Sequence, residues 1–344
     1  MRQDVPLAPY TTLALGGPAR WLAECASAAE VCATLTWARE RDTRTVILGG
    51  GSNVVFADAG FPGLVLRVAI GGLEFRDGPA PEIVAGAGVE WDALVRGAVE
   101  RGWAGVECLS GIPGTVGGTP IQNVGAYGQE VAQTIVSVAC LDRETLERRV
   151  FQPEECGFGY RMSRFKREDR DRYVVLGVAF RLERGGAPRL EYPELRAAVE
   201  RAGGADDLGQ VRETVLGLRR GKSMVLDPSD PNTRSAGSFF MNPVVPLDAF
   251  AELQSRWHAL GGNGRIPAFP SESGVKLSAA WLVEQAGFTK GYRRGGVGVS
   301  SRHSLALVNY GGTAAELIAL ADEIAATVQE RFGVRLEMEP QVIA

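Results

Sequence analysis

Residues 110–130 read SGIPGTVGGTPIQNVGAYGQE, and the rest of the chain is best understood from this stretch. Six of its positions are glycine (Gly111, Gly114, Gly117, Gly118, Gly125 and Gly128), and no charged residue occurs before Glu130. Such a run is not a helix. Glycine costs about 1 kcal/mol per helical position, and it reaches backbone angles closed to other residues. A chain carries this many only where turns are tight or where something approaches the main chain closely. A flat, phosphate-bearing cofactor is one such thing, because backbone N–H groups can point at its oxygens and ring edges. The competing reading is a series of surface turns. Ile112, Val116, Ile121 and Val124 oppose it, since a solvated loop has little reason to space aliphatic residues so regularly.

Composition narrows the field. The 344 residues exceed one ordinary core and suggest two or three domains, with 45% apolar residues to fill them. The 44 glycines are close to twice the average share of about 7% and point to many tight backbone sites. Lys and Arg number 37 against 41 Asp and Glu, a net charge of -4 that recommends neither nucleic acid nor an anionic membrane as partner. The cysteines (Cys25, Cys32, Cys108, Cys140 and Cys156) are odd in number and form no C-x-x-C pair, so a zinc cluster and a disulfide framework are not expected. No signal-peptide pattern opens the chain and no window approaches eighteen apolar residues, which predicts a soluble, cytoplasmic protein.

Upstream, residues 28–41 have helical spacing and residues 45–48 form a β-branched run that stops at Gly49. The chain then reads Gly49-Gly50-Gly51-Ser52-Asn53 before the apolar Val54-Val55-Phe56. A glycine turn between two strands offers consecutive N–H groups, and Ser52 and Asn53 add side-chain donors, a set suited to a pyrophosphate. It is not the dinucleotide fingerprint, because position 54 is Val54 and no helix follows. Gly217-Leu218-Arg219-Arg220-Gly221-Lys222-Ser223 is one residue short of a P-loop. Helices are predicted over 91–101, 193–202, 279–286 and 314–331. The Asp-Pro pairs of LDPSDPNTRS, residues 226–235, mark the start of a last domain. A polar, proline-containing loop is expected to lead on to Gly274-Val275-Lys276-Leu277.

GGGSN, the 110–130 stretch, YRMSRFK, AGSFFMNP and a C-terminal MEP occur in that order. With that ordered set, spanning Thr11 to Glu339, the chain resembles the UDP-N-acetylenolpyruvylglucosamine reductase (UDP-N-acetylmuramate dehydrogenase) family of bacterial peptidoglycan synthesis. The resemblance implies an α+β fold, with an FAD-binding region of the vanillyl-alcohol-oxidase (PCMH) type in two subdomains, 1–68 and 69–225. A separate α+β substrate domain, 226–344, would carry Glu339. It also implies the longer family type, with Tyr192 as a gate. Gln341 and the insertion at 203–210 depart from common relatives.

The implied reaction reduces an enolpyruvyl ether to a D-lactyl ether, with NADPH as hydride donor and non-covalent FAD as relay. Negative charge then develops beside a carboxylate, so the site needs a cation there and a proton donor facing the carbon. By resemblance Arg161 binds the carboxylate, Ser238 donates the proton and Glu339 is the third catalytic residue. Glu337, two positions away, shares a strand face with Glu339, and periodicity does not choose between them. The same resemblance assigns FAD to Thr12, Gly49, Gly50, Gly51, Ser52, Asn53, Ser110, Gly111, Ile112, Pro113, Gly114, Gly117, Gly118, Gln122, Asn123, Gly125, Ala126 and Tyr127. It assigns the sugar nucleotide to Tyr160, Tyr192, Lys222, Asn242, Lys276 and His303. For His303 a core role stands equally open, and His258 reads as surface. The expected enzyme is a monomer acting on a small molecule, without metal. Two alternatives stand beside it: another FAD-dependent oxidoreductase of this fold, and a non-catalytic sugar-nucleotide-binding protein. A covalent histidyl flavin is disfavoured, because neither histidine falls before residue 258.

Overall fold

The computed structural model describes every residue except Ala205, Asp206 and Glu272. Part of the 203–210 insertion therefore lies outside the described residues. The chain divides into two compact units: Met1–Val5, Ala19–Gly51 and Phe61–Val225 form the first, and Pro6–Pro18, Ser52–Gly60 and Leu226–Ala344 the second.

The first unit contains two sheets. In one, the strands run in the order Arg2–Pro6, Pro18–Cys25, Phe61–Val68, Thr45–Leu48, and the last three pair in parallel. Helix α1 (Ala28–Glu40) follows the second of these strands; Ser27 caps it by accepting from the Glu30 N–H, and Val31, Leu35 and Ala38 are buried. The other sheet is antiparallel, in the order Arg148–Phe151, Ile135–Asp142, Tyr173–Arg181, Glu82–Gly86, Leu73–Arg76. Helix α2 (Trp91–Glu100) buries Trp91, Leu94, Val95 and Ala98. One apolar cluster joins both sheets, from Leu64 and Leu66 to Trp91, Val138 and Phe180. Helices α3 (Pro193–Arg201) and α4 (Leu208–Gly221) pack together through Leu195, Val199, Val211 and Val215, with Cys108. The near-miss P-loop is the end of α4, where Gly217 and Gly221 are helical.

The second unit holds α5 (Leu247–Ala259), α6 (Ala279–Gln285) and α7 (Ala314–Phe332). Its core includes Phe239, Phe240, Leu282, Leu320, Ile324 and Phe332. Helix α5 occupies part of the stretch expected to be a polar loop; Phe250, Leu253 and Trp257 give it a narrow apolar stripe at helical spacing. Pro6–Pro18 and Ser52–Gly60, which lie within the stretch 1–68 expected to form one cofactor subdomain, belong here. Val54–Phe56 pairs in parallel with Gln341–Ile343, and the Asp58 carboxylate accepts from the Ala314 and Ala315 N–H groups at the start of α7. Leu13 and Leu15 enter the core, and Asn309 Nδ2 donates to the Leu13 carbonyl at 2.9 Å.

Candidate functional site

The ribbon of residues 110–130 contains one short 3₁₀ turn, Val116–Gly118, and one hairpin, and no α-helix, as its glycine content requires. Tyr127 and Gly128 form the two-residue hairpin loop, both with positive φ (49° and 86°), the geometry of a type I′ turn. The Gly49–Gly51 turn packs directly on the ribbon. A Cβ at Gly50 would stand 2.7 Å from Gly114 Cα, and one at Gly49 would stand 2.9 Å from Thr115 Oγ1. Gly50 is required by close approach of main chain to main chain, whereas Gly49 faces a side-chain hydroxyl. Gly118 differs: a Cβ there would meet nothing within 4 Å.

Several ribbon donors are already used within the protein. The Gly111 N–H donates to Asp92 Oδ1 at 2.6 Å, Gly117 N–H to the Ala87 carbonyl, and Ser110 Oγ to the Glu107 carbonyl. Asn123 is 1% exposed and spends its amide on Glu130, the Gly159 carbonyl and the Ala132 N–H. Its side chain holds the ribbon in shape. Two polar atoms are left over. Among the described residues, Thr115 Oγ1 and Arg219 Nε are the buried side-chain polar atoms without a hydrogen-bond partner; the first lies within the ribbon and the second against Gly111. Buried polar groups are almost always satisfied, so two orphans beside a glycine-rich surface fit a polar ligand such as FAD. Neither residue was singled out from sequence; Thr115 lay unmarked inside the ribbon, and Arg219 inside the rejected P-loop match.

Arg161 has φ +53°, and its Nη2 donates to the Gly125 carbonyl at 2.6 Å. A side chain at Gly125 would intrude on that guanidinium, 3.2 Å from Nη1. The structure thus brings Arg161 onto the ribbon. Tyr192, 44% exposed at the start of α3, stands edge-on to Tyr127 with ring centroids 5.6 Å apart. Lys222 Nζ lies 2.7 Å from Glu194 and 5.8 Å from the Tyr127 centroid. Burial pushes the Tyr127 phenol up to about 12, and burial also raises Tyr192. Tyr160 is exposed.

In the second unit, the segment carrying Ser238 pairs with the segment carrying Glu339. The Glu339 N–H donates to the Phe239 carbonyl, the Met241 N–H to the Glu337 carbonyl, and Phe240 faces Met338. This register sets Glu339 opposite the neighbour of Ser238 and Glu337 farther along, a distinction that a period of two could not make. Asn53 Nδ2 donates to the Glu339 carbonyl, and Thr12 Oγ1 to the Ser235 carbonyl at 2.7 Å. Asn242 Oδ1 accepts from the Ala279 N–H at the start of α6. Lys276 lies on Gly274–Leu277, paired with Val244 and Phe269. His303 is half-buried and its Nδ1 accepts from the Leu305 N–H at 3.0 Å, while His258 is exposed. A cavity of about 690 Å³ in this unit, lined by Phe250, Trp257, Phe269 and Val275, includes none of the side chains assigned to substrate. Among the described residues no His, Cys, Asp and Glu cluster could hold a metal, and no helix is long and apolar enough to cross a membrane.

Residues 19–145 match an FAD binding domain, and residues 228–343 match the UDP-N-acetylenolpyruvoylglucosamine reductase C-terminal domain. The reductase of Thermobifida fusca (strain YX) is 50% identical over 99% of this chain and 97% of its own length. That of Streptomyces coelicolor is 49% identical over 99% of this chain and 89% of its own length. The crystal structure of the Thermus caldophilus enzyme superposes with a TM-score of 0.66 at 27% identity, covering 99% of this chain and 98% of that one. The fold is therefore the expected one, a vanillyl-alcohol-oxidase (PCMH) type FAD-binding region with a separate C-terminal domain. On identity, coverage and fold together, this chain belongs to the UDP-N-acetylenolpyruvoylglucosamine reductase family.

Proposed function

We propose that this chain reduces the enolpyruvyl ether of a UDP-N-acetylglucosamine to the D-lactyl ether of UDP-N-acetylmuramate. The observation that carries the reading is identity of 50% over nearly the full length of a named reductase, on a chain whose glycine ribbon has buried orphan donors beside it. Bound FAD supplies the hydride relay between NADPH and the vinyl ether. The chain's own residues provide binding, orientation and a proton.

Arg161, held on the ribbon by the Gly125 carbonyl, binds the substrate carboxylate and lowers the cost of negative charge building beside it. Ser238 delivers a proton to the carbon next to that carboxylate. A serine is a weak acid, and it serves here because the carbon it faces is strongly basic at that moment. Glu339 positions that exchange. Lys222, Asn242, Lys276 and His303 hold the sugar nucleotide, with Tyr160 at its edge and Tyr192 as its gate, the reading under which the chain is of the longer family type. The first unit serves the cofactor, and residues 226–344 serve the sugar nucleotide. The enzyme is read as a cytoplasmic monomer; a sedimentation mass of two chains would contradict the latter.

The roles separate in a stopped-flow experiment. Ser238→Ala should be bleached by NADPH as fast as the parent but reoxidised by the enolpyruvyl substrate about 10²–10⁴-fold more slowly, the usual range for losing a general acid. Equal reoxidation rates would remove Ser238 from the chemistry.

A further inference from the structure

Arg219 stands in the last turn of α4 and has no part in the scheme above. Its Nη2 donates to the Met224 carbonyl at 2.7 Å, and its backbone carbonyl accepts from the Met224 N–H, so one side of the residue secures the loop after the helix. Nε, shielded from solvent, has no partner. It faces the ribbon: a Cβ at Gly111 would lie 3.6 Å from it and 2.7 Å from Leu216 Cδ2.

The ionisable groups felt at Arg219 are Tyr127 and Asp92. Neither neutralises it. Asp92 gives Oδ1 to the Gly111 N–H and to Arg212 Nη1 at 2.7 Å, and Oδ2 to Arg212 Nη2 at 2.6 Å. Tyr127 is kept neutral by burial. A guanidinium remains charged in proteins, and a buried charge without a partner costs several kcal/mol. Burial accordingly pulls the Arg219 guanidinium below its ordinary value. The protein thus holds a half-buried guanidinium, its Nε shut off from solvent, against the ribbon assigned to the cofactor.

We propose that Arg219 stabilises the two-electron-reduced isoalloxazine, meeting the negative charge that reduction places on the ring. A hydride carries two electrons and one proton, so its transfer from the nicotinamide to a neutral ring adds one negative charge, which Arg219 offsets. A buried cation acting on the reduced form alone raises the midpoint potential and favours the first half of the cycle. This inference rests on the FAD reading above. The two fail differently: a parent protein that takes up no FAD sinks the functional reading, whereas Arg219 is tested by potentials among flavin-loaded proteins.

The test compares the parent, Arg219→Gln and Arg219→Lys, each as the full chain loaded with FAD, by midpoint potential against indicator dyes, with thermal melting of the same samples. Arg219→Gln should lose about 10–100-fold in preference for the reduced state, a fall of about 30–60 mV for a two-electron couple. Arg219→Lys, which keeps the charge, should stay within about 15 mV of the parent, half of a tenfold step. A glutamine variant at the parental potential overturns the proposal. So does a lysine variant that falls as far as glutamine, because charge is then not the cause. Loss of flavin from both variants with melting unchanged makes the arginine an anchor, and loss of folding in both makes it a strut; either result also overturns the assignment.

Discussion

Replacing Gly118 and Gly50 by alanine, one at a time, separates glycines that accommodate a ligand from glycines that accommodate the protein. Neither has a positive φ, so backbone strain does not enter and only the added methyl group matters. At Gly50 that methyl lies 2.7 Å from Gly114 Cα and 3.2 Å from Thr115 N, main-chain atoms that cannot rotate away. Overpacking of this kind costs about 1–3 kcal/mol. At about 2–4 °C per kcal/mol for a unit of some 200 residues, Gly50→Ala should lower the melting temperature of the flavin-free protein by about 2–12 °C. At Gly118 the methyl meets nothing within 4 Å, so the flavin-free protein should melt as the parent does, within about 0.5 kcal/mol. If the open space beside Gly118 is where FAD lies, the same methyl should cost about 1.5–3 kcal/mol of cofactor binding, about 10–100-fold in Kd. Titrating FAD into flavin-free protein by fluorescence quenching, with melting of the same samples, reads both effects. A Gly118→Ala protein with parental FAD affinity would refute the placement of the cofactor on that face, and a Gly50→Ala protein with unchanged melting would refute the steric argument.

Two further outcomes follow from ion placement. Burial raises the Asp92 carboxyl, but hydrogen bonds from Arg212 and the Gly111 N–H and the charges of Arg212 and Arg96 outweigh it and leave the group below the usual range. Its stabilising contribution is therefore present above the unfolded value of about 3.9 and is lost as pH falls through the folded value. Asp92→Asn should cost about 2–3 kcal/mol at pH 7, less than a fully buried pair because the two side chains keep 24% and 11% exposure, and the deficit should shrink below about pH 4 in urea melts; a deficit independent of pH would exclude the ion pair as its source. Asp58→Ala removes the acceptor of two N–H groups at the start of α7 and should destabilise the second unit by about 1–2 kcal/mol, read by chemical denaturation; no change would mean that water satisfies that helix end equally well.

What could be read in the sequence was local. Glycine density announced the ribbon, and helical spacing placed α1, α2, α3, α6 and α7 within a residue or two of their ends. Helix α4 escaped because Gly209 and Gly217 weaken its pattern, and α5 because Leu253 is its one fully buried side chain. The remainder depended on distant pairing. Nothing near Val54 or Asp58 reveals that they bind the C-terminal strand and α7, more than two hundred and fifty residues on. Within the site, the register that sets Glu339 rather than Glu337 against Phe239 comes from pairing, and the solvent-shielded Nε of Arg219 from packing, neither of which residue type discloses. Asn123 is readable as a site residue only by resemblance, and that its side chain braces the ribbon appears only in its hydrogen bonds.

The most direct measurement is an anaerobic spectrum of the purified protein loaded with FAD. NADPH should bleach its absorbance near 450 nm in a one-to-one titration. The enolpyruvyl sugar nucleotide, added without oxygen, should then restore the colour with one equivalent of the lactyl product. Bleaching that this substrate fails to reverse, or a protein that takes up no flavin, would contradict the account.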